Sequence, residues 1–539
     1  MTDYSSVKEQ LQQEIAAIMD EFNIPGLAIA LIDRDQLVWA EGFGHTDISK
    51  STAVQPVTIF SVQSISKTYT ALAFLRAVDK GLIGLDDSLV KYLPGFSVKS
   101  RFGPEEIGKI TFRHLLSHHA GFFHEAPVGN NFGIWHNSFA DHIRSIEGTW
   151  LLYPVGQRWS YSNLGIDLAA YVLQEITGKR FEDYVAEEVF APLGMNSSTF
   201  DQQQALADNN RARGHANNRE IAARIIPMIP SGGMYSNVLE MAQFVMAQLT
   251  GETASGDKLL SEGLHAEMLT PQFSGQVSQS GYCLGVEVSK DYGTELAFHG
   301  GGGYGYITFQ GWLPKYQLGV VMLTNSHATS SGVKGEKLPY RALELMMQKK
   351  LGHVPSGTYQ PFQGHQEVSV PESQLQKLAG TYLIRGGLFS FFADGDKLLL
   401  KKSPDAEPEE LKAFGDTMFA TEDSRLDFVM EGDCAKGVKH TTKCGHFYFP
   451  LNDRPHEQQG PAEPDWQSYT GSYSTDFYTE KATINVHLKN GHLYLDKLKL
   501  HENQPGLFFT ANGFEVRFEK EVCHYAGVKF SSDDKDDVQ

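Results

Sequence analysis

The chain has 539 residues, 41% of them hydrophobic and 21% charged, with a formal net charge of -19. That length exceeds one ordinary domain core, so two to four domains are expected, and no apolar run approaches a membrane span. An acidic surface repels phosphate backbones, which argues against nucleic acid as a partner as firmly as the missing span argues against a membrane.

Residues 1–10 lack the basic start and apolar stretch of a secretory signal. Four cysteines (Cys283, Cys434, Cys444, Cys523) are too few for a disulfide framework. Both features lead us to expect a cytoplasmic protein.

In chain order, residues 5–22 read as an amphipathic helix with Val7, Leu11, Ile15, Ile18 and Met19 on one stripe, stopped by Pro25-Gly26. Two apolar runs, Gly26–Ile32 and Gln36–Glu41, then read as a hairpin about Asp33-Arg34-Asp35. Residues 64–250 read as mostly helix and loop. Strands are expected at Cys283–Val288, Tyr306–Trp312 and Leu318–Leu323, and a closing helix at Tyr340–Leu351. Helices flanking an antiparallel sheet, with a helical insertion between its strands, make an α+β domain over 1–355.

Residues 356–372 are expected to be a linker, within a Pro- and Gly-rich stretch. Short alternating runs follow, as in β barrels or sandwiches. Leu378-Ala-Gly-Thr-Tyr382 is echoed by Tyr469-Thr-Gly-Ser-Tyr473. Each is followed by a turn and a Leu-rich strand: Asp394-Gly395 then Leu398–Leu400, and Asn490-Gly491 then Leu493–Leu495. Two all-β modules, 373–462 and 463–539, are expected, with a disordered acidic tail from Asp533.

Ser64-x-x-Lys67 puts a hydroxyl and an amine one helical turn apart, where the amine can take the hydroxyl proton. The same spacing recurs from Ser5, Ser88, Ser331 and Ser532. Ser64 is set apart by the apolar-periodic run that follows it (Tyr69, Leu72, Leu75, Val78), which ends at Gly81. Tyr161-Ser-Asn163 supplies a phenol able to relay protons and an amide able to hold the lysine and a substrate carbonyl. Tyr235-Ser-Asn237 is a second copy, and spacing alone does not choose between them. His299, followed by four glycines, offers a strand edge with amide hydrogens for an oxyanion.

In this order these motifs resemble the serine β-lactamase and penicillin-recognising family, over about residues 8–350. The similar branch holds class C β-lactamases, D-aminopeptidases, D-peptidases and esterases of the same fold. Ile110–His118, Trp159–Gly165, Leu193-Gly-Met195 and Ser231–Ser236 extend the resemblance. It implies a β-lactamase/transpeptidase-like domain followed by two barrel-like modules. It also implies that Ser64 is the acylated nucleophile, that Lys67 and Tyr161 move its proton, and that Asn163 orients. The backbone amides of Ser64 and Gly302 would form the oxyanion hole. Tyr235 then matches a structural turn.

His299 departs from the lysine that β-lactamases carry there, and a neutral imidazole binds a carboxylate less well. The expected activity is therefore that of a D-aminopeptidase-like peptidase or amidase. An esterase, a β-lactamase or DD-peptidase, and a non-catalytic scaffold are the rival readings. Gly301, Phe122 and Trp135 are expected to touch substrate, the last two within an aromatic group that includes Phe123 and Phe132. No cofactor or metal is expected: His114, His118 and His119 read as a helix end, and Cys434, His440, Cys444 and His446 as a polar turn. The expected partner is a small-molecule or peptide substrate, with a homo-oligomer allowed.

Overall fold

The computed structural model describes residues 2–50, 52–129, 136–216, 218–272, 281–327, 334–355, 366–384, 387–403, 406–421, 424–442, 445–454, 464–477, 480–511, 514–525 and 528–533. The chain divides into two compact units, Met1–Gly357 and Thr358–Gln539.

The first unit is built on a seven-stranded antiparallel sheet. Its order is Gln36–Gly44, Gly26–Asp33, Leu318–Thr324, Tyr306–Leu313, Leu296–Gly303, Glu287–Ser289, Gly281–Tyr282. Successive residues of a strand face opposite sides, and the first strand sorts its side chains that way. Leu27, Ile29 and Leu31 join Leu11 and Ile15 of the Ser5–Glu21 helix and Leu343, Met346 and Met347 of the Lys334–Leu351 helix in one core. The helix Val238–Thr250 packs on the same strands from the rest of the unit. A Cβ on Gly319 would come within 2.4 Å of Val245 Cγ1, so only glycine lets that helix lie so close.

The strand expected at Cys283–Val288 is instead a hairpin. Strands Gly281–Tyr282 and Glu287–Ser289 flank a turn in which Cys283 N–H donates to the Val286 carbonyl at 2.8 Å and Gly285 has φ 71°. The turn rests on the helix Ser66–Asp79: Thr68 Oγ1 donates to the Gly285 carbonyl at 2.7 Å, and a Cβ on Gly285 would meet Ala71 Cβ at 2.4 Å. Seating this turn brings Tyr282 to the interior. The closing helix likewise starts earlier than expected, at Lys334, and carries Pro339 in its first turns.

The second unit holds two closed eight-stranded barrels, Gly380–Ile384 to Gly445–Asp453 and Gly471–Phe477 to Val528–Ser532. The sequence echo has a structural meaning. Tyr382 Oη donates to the Leu378 carbonyl at 2.6 Å and Tyr473 Oη to the Tyr469 carbonyl at 3.0 Å, so each barrel begins with the same clasp. Asn490 and Gly491 both have positive φ, as a two-residue hairpin turn demands. Residues 356–365 of the expected linker, the 455–463 segment between the modules, and the tail 534–539 lie outside the described residues. Among the described residues, no helix is long and apolar enough to cross a membrane.

Candidate active site

Ser64 sits in a 3-10 turn, Gln63–Ile65, that leads directly into the helix Ser66–Asp79. Gln63 has φ 53°, an unusual value for a side-chain-bearing residue, and its Nε2 donates to Ser61 Oγ at 2.7 Å. The helix is buried on all sides along residues 66–75, so it runs through the middle of the unit. Of residues 58–75, Ser64 alone is not buried. The fold thus exposes one hydroxyl from an otherwise enclosed segment.

Lys67 is fully buried. Its Nζ lies 3.0 Å from Ser64 Oγ and 2.7 Å from the Ser231 carbonyl, and 4.9 Å from the centroid of the Tyr161 ring. Tyr161 is held in place by its loop. Ser160 N–H donates to the His118 carbonyl at 2.7 Å, Ser162 N–H to His118 Nδ1 at 3.2 Å, and Asn163 N–H to the His124 carbonyl at 3.0 Å. Three sequence-predicted residues, Ser64, Lys67 and Tyr161, therefore meet. Tyr235 lies elsewhere, in a short strand pairing Ser61.

Asn163 opens the helix Asn163–Thr177 but does not hold the lysine: its Nδ2 donates to Glu125 Oε1 at 3.1 Å. The expected contact with Lys67 is replaced by the Ser231 carbonyl. Gly301 is buried, and a Cβ there would come within 2.2 Å of the Val62 carbonyl oxygen; its glycine serves close packing against the Ser64 turn. Gly302, by contrast, is exposed on the same strand. Phe122 is 1% exposed and packs edge-on against Phe96, which makes it core instead of cleft rim. Phe132 and Trp135 lie outside the described residues, as does Cys444.

His299 is 2% exposed. Its Nδ1 is 2.6 Å from the Gly300 carbonyl, which can only accept, so Nδ1 carries the hydrogen. In the neutral ring Nε2 then accepts from Tyr282 Oη at 2.9 Å. Both ring nitrogens of His299 are thus placed against groups of the protein itself, Nδ1 at the Gly300 carbonyl and Nε2 at Tyr282 Oη.

Sequence reading missed Tyr282, and missed His118 as part of this site. The His118 ring lies between Tyr161 and Tyr282, at 4.4 and 4.3 Å between centroids, with Trp159 beyond at 6.5 Å. Burial first, and the charge of Lys67 second, hold His118 well below the usual histidine range. Because its Nδ1 accepts from Ser162, the hydrogen sits on Nε2, which finds no hydrogen-bond partner among the described residues. His118 also has φ 63°. Nothing in the local sequence marks it off from its neighbours: His114 caps its own helix with Thr111, and His119 Nδ1 bonds the Ser117 carbonyl at 2.8 Å.

A family model described as beta-lactamase matches residues 11–342. The protein Flp of Staphylococcus aureus (strain MRSA252) is 25% identical over 328 residues, 58% of this chain and 63% of that protein, so the match spans less than two thirds of that relative. An unguisins hydrolase of Aspergillus campestris is 27% identical over 369 residues, 64% of this chain and 67% of its own. Among solved structures, the octameric penicillin-binding protein homologue from Pyrococcus abyssi superposes with a TM-score of 0.55 at 24% identity, over 82% of this chain and 99% of that one. SurE with D-Leu gives a TM-score of 0.56 at 19% identity, over 83% and 100%. Both structural likenesses are likenesses of fold.

Proposed function

The chain belongs to the beta-lactamase family of serine hydrolases, and from that premise we propose that it cleaves amide or peptide bonds through an acyl-enzyme on Ser64, in the manner of a D-aminopeptidase. The observation that carries this reading is the buried Lys67 amine 3.0 Å from the single accessible hydroxyl of its segment.

In this reading Ser64 Oγ passes its proton to the Lys67 amine nitrogen and attacks the carbonyl carbon. The oxyanion that forms is met by the backbone N–H groups of Ser64 and Gly302. The proton returns through Lys67 and Tyr161 to the leaving amine as the C–N bond breaks. Water repeats the sequence on the ester, and Ser64 regains its proton. The helix N-terminus behind Ser64 favours the developing negative charge.

Substrate class follows from what the strand lacks. His299 has both ring nitrogens engaged within the protein, and it stands where a lysine would present a permanent cation to a carboxylate. Neutral groups flanking the scissile bond suit it better. The Aspergillus relative is named for hydrolysis of unguisins, which supports a hydrolase.

The test is labelling with a fluorophosphonate probe, mass spectrometry of the labelled peptide, and a hydrolysis screen. The screen covers p-nitroanilides of D- and L-amino acids, short p-nitrophenyl esters and a chromogenic cephalosporin. Labelling on Ser64 with preferred turnover of the D-anilides supports the proposal. Preferred ester turnover would reassign the chain as an esterase, cephalosporin turnover as a β-lactamase, and absence of labelling as a scaffold.

A further inference from the structure

The carbonyl that holds Lys67 is itself held by charges that the mechanism above does not use. Ser231 N–H donates to Asp167 Oδ1 at 2.9 Å, and Ser231 Oγ donates to Asp167 Oδ2 at 3.0 Å. On the other side of the same peptide, Thr70 Oγ1 donates to the Pro230 carbonyl at 2.7 Å. Asp167 Oδ2 also meets His142 Nε2 at 2.9 Å, and His142 Nδ1 lies 2.6 Å from the Val128 carbonyl. Both His142 and Asp167 are 0% exposed. Since a carbonyl and a carboxylate each accept, both ring nitrogens of His142 donate, and the ring is an imidazolium. Burial opposes that charge, but the hydrogen bond and charge of Asp167 outweigh it, and the direction of the pKa is upward.

We propose that His142 and Asp167 are positioning residues for the Lys67 amine, acting through Ser231 as a fully buried ion pair; this rests on the reading of Ser64 and Lys67 given above. Three separate elements converge on the link: the helix Phe139–Ser145, the helix Asn163–Thr177 and the turn Ile229–Gly232. A buried ion pair is a poor source of stability compared with an apolar filling of the same volume. Its placement one residue behind the amine gives it a different use. Asp167 grips Ser231 at two points, which fixes where its carbonyl aims. With one amine N–H committed to that carbonyl, the nitrogen lone pair is left to face Ser64 Oγ. The imidazolium cancels the carboxylate charge, so the anion does not tighten the hold of Lys67 on its proton.

The test measures the second-order rate of Ser64 labelling against pH in four variants: Asp167→Asn, His142→Gln, the double variant, and Ser231→Ala. Melting curves report the folded fraction. Lys67 is also faced by Tyr161 and His118, and His142 by Glu125, and these stay in place in every variant.

Asp167→Asn is expected to slow labelling at least tenfold, with the acid limb of the profile in place. His142→Gln leaves Asp167 charged and uncompensated, so the limb moves up by about one pH unit. Adding Asp167→Asn to His142→Gln removes the stranded charge and brings the limb back. Ser231→Ala, which removes one of the two grips and the least packing, is expected to slow labelling several-fold even if the buried variants fail to fold. A merely structural pair would lower rate only in step with folded fraction and would leave the limb fixed in all four. That result, or folded variants labelling at the parent rate, overturns the proposal. Absence of Ser64 labelling in the parent would instead overturn the reading of the site beneath it.

Discussion

A lysine can take a proton from serine only through a free lone pair, and Lys67 is placed within reach of the Ser64 hydroxyl. Burial, the Ser231 carbonyl and the nearby Tyr161 ring leave Ser64 Oγ as the group within reach of a base. We expect Ser64→Ala to abolish hydrolysis and labelling with little change in melting temperature, since one hydroxyl at a half-open position is lost. Lys67→Ala should be nearly as damaging and Tyr161→Phe strongly so, with losses that do not add, whereas Tyr235→Phe should be mild in activity. Mild losses for both Ser64 and Lys67 in p-nitroanilide kinetics would show the chemistry to lie elsewhere. Ser64 and Lys67 were legible because one helical turn of spacing brings them together and an apolar-periodic run follows them, while Tyr161 was picked out from Tyr235 by the family resemblance alone. The role of His299 was not legible, because its partner Tyr282 is set by a hairpin seated on another helix. Tyr282→Phe removes the hydroxyl beside buried His299 Nε2 and is expected to cost about 1–3 kcal/mol by thermal denaturation. No loss would mean that the ring adopts another hydrogen-bonding arrangement.

At the scale of elements, the first helix, the first hairpin and the two long central strands could be read from periodicity, because each buries one face against a single neighbour. The Cys283–Val288 run fooled the same rule: its apolar residues are buried by a turn against the Ser64 helix, not by a strand. The His142–Asp167–Ser231 link was invisible, since its members are 25 and 64 residues apart and the segment that Ser231 opens gives no hint of the other two. The segment Thr111–Gly121 carries a pH consequence. Burial lowers His114 and His119 to about 4. Their unfolded values are near 6.5, so between about 6.5 and 4 the unfolded chain binds protons that the folded chain refuses. The stabilising difference is complete above about pH 6.5 and is lost as pH falls toward 4. For buried His119 the slope is about 1.4 kcal/mol per pH unit, and less for half-buried His114. His142 runs the other way: its raised value stabilises below about 6.5 and fades as pH rises through it. The melting temperature of the first unit should therefore fall from pH 6.5 to 4, and His119→Gln should flatten that fall. An unchanged slope in the variant would assign the acid sensitivity to other groups.

For the whole chain, the change from long amphipathic periods to short alternating runs announced the barrels, and the echo of Leu378–Tyr382 in Tyr469–Tyr473 announced that there are two. Which residues close the first unit was less plain, because a helix far along the sequence completes a sheet begun by the second element. Leu338, Leu343, Met346 and Met347 of the Lys334–Leu351 helix are buried in the same core as Leu27, Val320 and Met322. Each such side chain is worth about 1.5–3 kcal/mol when taken from water, so the four contribute on the order of 10 kcal/mol. Whole domains are stable by about 5–15 kcal/mol, so the unit cannot spare this helix. A chain ending at Gly357 keeps it and is expected to unfold cooperatively and to label at Ser64 at the parent rate. A chain ending before Lys334 exposes the core and is expected to aggregate or stay unfolded. Melting curves and labelling rates of the two truncations, made side by side, decide the matter. If the longer one failed to fold while the full chain stayed stable, the expectation that Met1–Gly357 folds by itself would be wrong.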